Sequence, residues 1–164
     1  MVVPLAMGLS KRYKFTITTT NDEDDKDKTP PPFIAIQMGQ ERLQTYAFID
    51  SSADGNTISY EMFKTLKNVH LKDTDTVFRS YIGHMTRALG MCKLDLNVSE
   101  LICGDKFFVT LPDMQDEPII LERTWQRKYN YFIDWCQRLA HCQSFDNRLW
   151  VPLCDNQTRV MPHS

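Results

Sequence analysis

One aspartate of this sequence stands where an apolar run ends and a cluster of small residues begins. The segment AFIDSSADGNTIS covers residues 47–59, and Asp50 closes the apolar run within it. A carboxylate in such a position costs free energy unless it is paired or solvated. Asp50 is therefore either a turn or capping residue, or a carboxylate held in place for acid–base chemistry.

A second group of residues has the chemistry of metal ligands. Cys136, His141 and Cys142 lie within CQRLAHC, but this spacing fits no common four-ligand zinc pattern. The five cysteines are odd in number and irregularly spaced, which does not favour a disulfide framework. We expect reduced thiols in a cytoplasmic, intracellular protein, with no metal and no cofactor.

The residues that precede Asp50 predict the element that positions it. FIAIQMGQERLQTYAFID, residues 33–50, contains two apolar runs separated by a polar stretch around Gly39. This pattern predicts a β-hairpin that turns near Gly39. The second strand of the hairpin, Leu43–Ile49, then ends at Asp50.

Short strands also dominate the remainder of the chain. Ser59 is a suitable N-cap for a short helix. From Thr76 onwards, two strand-like runs flank a turn at residues 83–84, and the apolar triplet at 119–121 runs into a second helical pattern. Many short strands, two short helices and no βαβ rhythm predict an all-β, mainly-β domain that closes as a barrel.

Length and composition place the chain among globular proteins of ordinary size. It has 164 residues, 42% of them hydrophobic and 24% charged, with a net charge of −2. Because the chain has no excess of basic residues, we expect no nucleic-acid binding. No apolar run reaches the roughly 20 residues that span a bilayer, so we expect no membrane partner either.

Changes in composition along the chain predict four parts. Residues 1–20 form an N-terminal segment whose alternating apolar residues could make an edge strand, although the first residues read as an ordinary terminus. Residues 21–32 are acidic and then proline-rich, which is typical of a linker. The globular domain is expected over 33–153, and a flexible tail over 154–164.

Three blocks of the sequence, taken in order, resemble retropepsin-like aspartic proteases. The first is Phe-Ile-Asp-Ser-Ser-Ala at 48–53, the second is GHMTRALGMCKLDLNV at 83–98, and the third is the segment 107–135. The second block is similar to the family's flap hairpin, and the third to its closing segment. The Ile-Asp-Trp ending at 133–135 resembles the protease domain of Ty3-type long-terminal-repeat retrotransposon polyproteins.

This resemblance implies a homodimer in which each chain supplies one catalytic aspartate, Asp50. Its natural reaction would be hydrolysis of peptide bonds in an extended peptide, such as the element's own polyprotein. The residues that would support the aspartate pair are Ser51, Ser52 and Ala53. The residues of the flap that would contact substrate are Ile82, Gly83 and His84. The residues that would form the structure close behind the site are Ile120, Leu121 and Glu122.

Two positions depart from the family's pattern, because Ser52 and Glu122 stand where the family has glycine. A side chain forced into a conformation that requires glycine costs on the order of 1–3 kcal/mol. Glu122 could bring negative charge close behind the aspartates, or its side chain could point to solvent. These departures support an alternative function, a catalytically degenerate domain used for dimerisation or peptide binding. A ubiquitin-pathway scaffold of similar fold is a third hypothesis, but no ubiquitin-like segment supports it.

Overall fold

The computed structural model describes residues 2–4, 32–51, 53, 55–79, 83–112 and 114–154. The alternating segment around Tyr13, the tail after Cys154 and nearly all of the predicted linker lie outside these residues. Within them the chain is mainly β with two short helices, as predicted. The first seven strands are β1 (Val2–Pro4), β2 (Phe33–Met38), β3 (Leu43–Ile49), β4 (Thr57–Ser59), β5 (Val77–Arg79), β6 (Met85–Arg87) and β7 (Gly90–Leu94). The other seven are β8 (Leu96–Val98), β9 (Leu101–Ile102), β10 (Asp105–Thr110), β11 (Ile119–Leu121), β12 (Phe132–Asp134), β13 (Leu139–Ser144) and β14 (Asn147–Cys154).

The predicted hairpin before Asp50 is formed by β2 and β3. The two strands are antiparallel over their whole length, from the pair Phe33 and Phe48 to the pair Met38 and Leu43. Gly39 opens the turn at φ +71°, a backbone conformation that glycine adopts without a steric penalty.

Eleven of the described strands form one sheet that contains the candidate site. Nine follow in the order β12-β13-β14-β2-β3-β11-β4-β10-β7, while β8 pairs with β2 and β9 with β8. The predicted closure into a barrel is not seen among the described strands, because β12 and β7 stand at opposite ends of this order. Beyond β2, the sheet continues through the C-terminal strands β14, β13 and β12. β14 pairs with β2 only through its last residues, Leu153 and Cys154.

A second, smaller sheet has the order β1-β5-β6. β5 and β6 are the antiparallel hairpin predicted on either side of residues 83–84. β1 lies parallel to β5, with Val2 opposite Val77 and Pro4 opposite Arg79. That the first residues are an ordinary terminus stays a prediction, which this pairing does not test.

Both predicted helices are present and short. Helix α1 (Tyr60–Lys64) begins after Ser59, whose side chain accepts a hydrogen bond from the Met62 N–H at 3.1 Å. This is the N-cap expected from the sequence. Helix α2 (Arg123–Lys128) follows β11 directly, and its Trp125 is fully buried in the core.

Candidate functional site

Asp50 lies where two neighbouring parallel strands end. β3 and β11 pair in parallel with Leu121 opposite Ile49, so both strands reach the same edge of the sheet. The Asp50 N–H donates to the Leu121 carbonyl at 3.0 Å, which continues the ladder one residue beyond β3. Asp50 is 5% exposed. The carboxylate is therefore carried by backbone that is fixed on both sides of the strand end.

The residues after Asp50 fold into a tight turn against the start of α2. The Ala53 N–H donates to the Asp50 carbonyl at 3.3 Å, and the Arg123 N–H donates to the Ala53 carbonyl at 3.4 Å. Ala53 is buried in a small cluster with Ile120, against which Phe48 packs. A small residue at 53 thus allows the turn to approach β11 closely. Ser51 is exposed, and Ser52 lies outside the described residues.

Asn56 links three segments behind the turn. Its side-chain Oδ1 accepts from the Glu122 N–H at 2.9 Å, and its Nδ2 donates to the Lys106 carbonyl at 3.4 Å. Its own carbonyl accepts from the Phe108 N–H at 2.9 Å. Asn56 is nearly fully buried. Asn56 lies within the segment 47–59, but nothing in its type or spacing indicated this linking role.

Glu122 is the N-cap of α2. Its Oε1 accepts from the Trp125 N–H at 3.0 Å and its Oε2 from the Thr124 N–H at 2.7 Å. Its backbone is extended, with φ −96° and ψ 178°, and its side chain is 6% exposed. The side chain therefore does not point to solvent, and the position does not require the backbone freedom of glycine. A carboxylate is well suited to these N–H groups, since helix N-termini favour negative charge.

The other two residues predicted behind the site, Ile120 and Leu121, are fully buried in β11. Ile120 pairs with Phe48 of β3 on one side and with Thr57 of β4 on the other. This central position fixes where β11 ends. It therefore also fixes the position of the Leu121 carbonyl, which accepts the hydrogen bond from the Asp50 N–H.

The hairpin predicted as a flap is anchored to the main sheet at its base. Phe78 of β5 contacts Phe108 of β10 edge to face, with ring centroids 5.8 Å apart. The Leu89 N–H, just after β6, donates to the Val109 carbonyl at 2.9 Å. Gly83 has φ +92° and His84 is exposed, while Ile82 lies outside the described residues.

The three candidate metal ligands lie on β13 and in the turn before it. His141 and Cys142 are adjacent on β13 and both buried, whereas Cys136 is exposed in the turn before it. The His141 Nδ1 is 2.9 Å from the Asn130 carbonyl, and its ring stacks on Phe132. In the described part of the chain, no three His, Cys, Asp or Glu residues are grouped so that they could hold a metal ion. No helix there is long and apolar enough to cross a membrane.

Comparison with known proteins supports the fold rather than a particular relative. No family model and no curated protein sequence matches the chain. The crystal structure of the retroviral protease-like domain of Ddi1 from Leishmania major superimposes with a TM-score of 0.61 at 16% identity, covering 78% of this chain and 96% of that one. A Legionella pneumophila protein of unknown function (DUF785) gives a TM-score of 0.41 at 11% identity, covering 62% of this chain and 87% of that one.

The similarity to the Leishmania domain is too distant in sequence to assign an activity, but it covers nearly that whole domain. The chain has a retropepsin-like fold.

Proposed function

We propose that this chain is a retropepsin-like aspartic endopeptidase that acts as a homodimer, with Asp50 of each copy forming the catalytic pair. The observation that supports it most directly is the placement of Asp50. Asp50 follows the end of β3, and its backbone N–H donates to the Leu121 carbonyl, in a fold similar to a domain described as retroviral protease-like.

The chemistry follows from two carboxylates that face each other across a two-fold axis. Because two close carboxylates cannot both ionise, they share one proton. The ionised carboxylate takes a proton from water, which attacks the peptide carbonyl, and the protonated carboxyl donates its proton to the carbonyl oxygen. Collapse of the resulting tetrahedral species breaks the C–N bond, and the amine leaves with a proton. The pair titrates as a unit.

The substrate in this proposal is an extended peptide. The hairpin of β5 and β6 is anchored to β10 of the main sheet through Phe78 and Leu89, and its connecting residues Gly83 and His84 are exposed. A peptide lying between this hairpin and the Asp50 turn could pair with backbone on both sides, as in strand addition. Ser51, exposed in the single chain, is available to bond to the second copy.

The test is a cleavage assay on a peptide library at mildly acidic pH and high protein concentration. Asp50→Asn removes the acid–base group while keeping its size, so we expect cleavage to fall to background. Asp146→Asn, an identical change in an exposed turn between β13 and β14, is the matched control and should cleave like the original chain. Equal cleavage by the Asp50→Asn variant would overturn the proposal.

The second candidate function is a non-catalytic dimerisation or peptide-binding domain with the same fold. Ser52 favours it, because it replaces a glycine of the family, whereas Glu122, the other replacement, has an extended backbone and caps α2. A folded dimer that binds library peptides but cleaves none would support this alternative. Processing of a retrotransposon polyprotein stays a prediction, which depends on the Ile-Asp-Trp ending at 133–135.

A further inference from the structure

The flap hairpin is accompanied by a third strand from the start of the chain. β5 has β6 on one side and β1 on the other, and in the described residues these three strands form a sheet separate from the main one. The register places Val2 opposite Val77, Val3 opposite Phe78 and Pro4 opposite Arg79. The strand that covers β5 is therefore in place before any substrate is bound.

Backbone pairing is what a three-residue strand of this kind contributes. A two-stranded hairpin alone is only marginally stable in water, and a third strand satisfies the polar groups on its open edge. Pro4 has no N–H and cannot extend the ladder as a donor. β1 is thus a short parallel strand in which the donor towards β5 is the N–H of Val2 or of Val3, because N–H groups of consecutive strand residues point to opposite sides.

Without β1, the N–H and C=O groups of Val77–Arg79 that point away from β6 would form an open strand edge. Such an edge accepts extended peptides through main-chain hydrogen bonds with little demand on their sequence. It belongs to the same hairpin that we propose closes over the substrate. The N-terminal strand and an extended external peptide would therefore compete for the same backbone groups.

We infer that the outer edge of β5 is a docking site for an extended peptide and that residues 2–4 are its intramolecular occupant, which restricts access of other peptides to the flap. The regulatory part of this inference rests on the proposed function, whereas the docking edge does not. Because β1 is covalently attached, it competes at an effective concentration in the millimolar range expected of a tethered segment, as long as the tether reaches.

The variant that tests this is Val2→Pro, Val3→Pro in the full chain. Since Pro4 already lacks an N–H, this double change leaves β1 with no donor. Val2→Ala, Val3→Ala keeps both N–H groups and is the matched control. Both are made together with Asp50→Asn, so that no cleavage is required for any readout.

Two measurements decide the outcome. Hydrogen exchange at the amides of Val77–Arg79 that point away from β6 should become faster in the proline variant and remain unchanged in the alanine control. A labelled peptide with the sequence of residues 1–10 should bind the proline variant on the order of tenfold more tightly than the control, because the attached competitor is lost. The same peptide with prolines at positions 2 and 3 should not bind.

Unchanged exchange in the proline variant would show that β1 does not cover β5 and would overturn the inference. Faster exchange without peptide binding would overturn the docking site, leaving β1 as a structural strand only. Cleavage by the chain that carries Asp50 is measured separately. The experiments can therefore overturn the docking site without affecting the protease proposal. They can also overturn the protease proposal without affecting the docking site.

Discussion

At the scale of single residues, the replacement of a family glycine by Glu122 is compatible with the backbone found at that position. Glu122 has an extended backbone, and its two carboxylate oxygens each accept a hydrogen bond from an N–H group of α2. Its replacement of glycine therefore brings no backbone strain and adds a helix cap. Changing Glu122→Gly would restore the family's residue, but it would remove that cap and relieve no backbone strain.

We therefore expect Glu122→Ala to destabilise the fold by about 1 kcal/mol, within the 0.5–2 kcal/mol range for loss of an N-cap. The reason is that the Thr124 and Trp125 N–H groups lose their acceptor in a buried setting. Urea unfolding measures the change. Glu100→Ala, in an exposed turn, is the control and should be near neutral. Equal stability of the two variants would contradict the capping role.

Asn56 gives a second prediction at this scale. Asn56→Ala leaves the Glu122 N–H without its acceptor in the core, and an unsatisfied buried donor costs about 1–3 kcal/mol. Asn147→Ala, at an exposed position of β14, should cost much less. Thermal unfolding of both variants checks the difference. If Asn56→Ala unfolds at the temperature of the control, Asn56 does not link the segments behind Asp50.

At the scale of elements, local signals predicted the local structure. The β2–β3 hairpin, the Ser59 cap of α1 and the triplet that becomes β11 follow from apolar alternation and from residue types with strong local preferences. β13 was missed, and its turn into β14 shows why: Phe145 has φ +55° at a position where a turn signal would be glycine or asparagine.

What the sequence could not supply was the pairing of distant strands. β3 meets β11 in parallel, and β4 lies between β11 and β10. These contacts fix Asp50, Asn56 and Glu122 relative to one another, yet no periodicity within one segment encodes them. The resemblance to a known family supplied the expected site, while the roles of Asn56 and Glu122 needed the observed hydrogen bonds.

Burial by the strands also predicts how the cysteines react. Burial raises the pKa of Cys92, Cys103 and Cys142 to about 12, whereas Cys136 is exposed. Because only the thiolate reacts, and the three buried thiols are also inaccessible, we expect a thiol reagent at pH 8 to label Cys136 first. Mass spectrometry of the native protein identifies the labelled site. Labelling of Cys142 as fast as Cys136 would contradict the burial of β13.

The same raised pKa values predict how the free energy of unfolding changes at alkaline pH. The fold favours the neutral thiols, so their contribution is complete below the ordinary thiol pKa of 9.0 and is lost as the pH rises towards about 12. The free energy of unfolding should therefore fall across this range. Cys103→Ala should make that fall shallower than in the original chain, although the variant starts from lower stability.

At the scale of the whole molecule, the proposed activity requires two chains, because each supplies one Asp50. We therefore expect specific activity to fall on dilution, once the concentration drops below the dissociation constant of the dimer. A fall on dilution alone could also reflect loss of protein to surfaces. A stricter test mixes chains that carry Asp50 with the Asp50→Asn variant, since mixed dimers contain only one functional carboxylate.

The arithmetic of such mixing is definite. When equal amounts of the two chains exchange freely and are fully dimeric, a quarter of the dimers carry two Asp50 residues, so activity should fall to about half of that with buffer in place of the variant. The Asp146→Asn variant, which keeps Asp50, should instead raise the activity when it is added in the same amount. If the Asp50→Asn chains leave the activity unchanged after subunit exchange has been verified, the catalytic unit contains one chain, and the shared pair of aspartates is wrong.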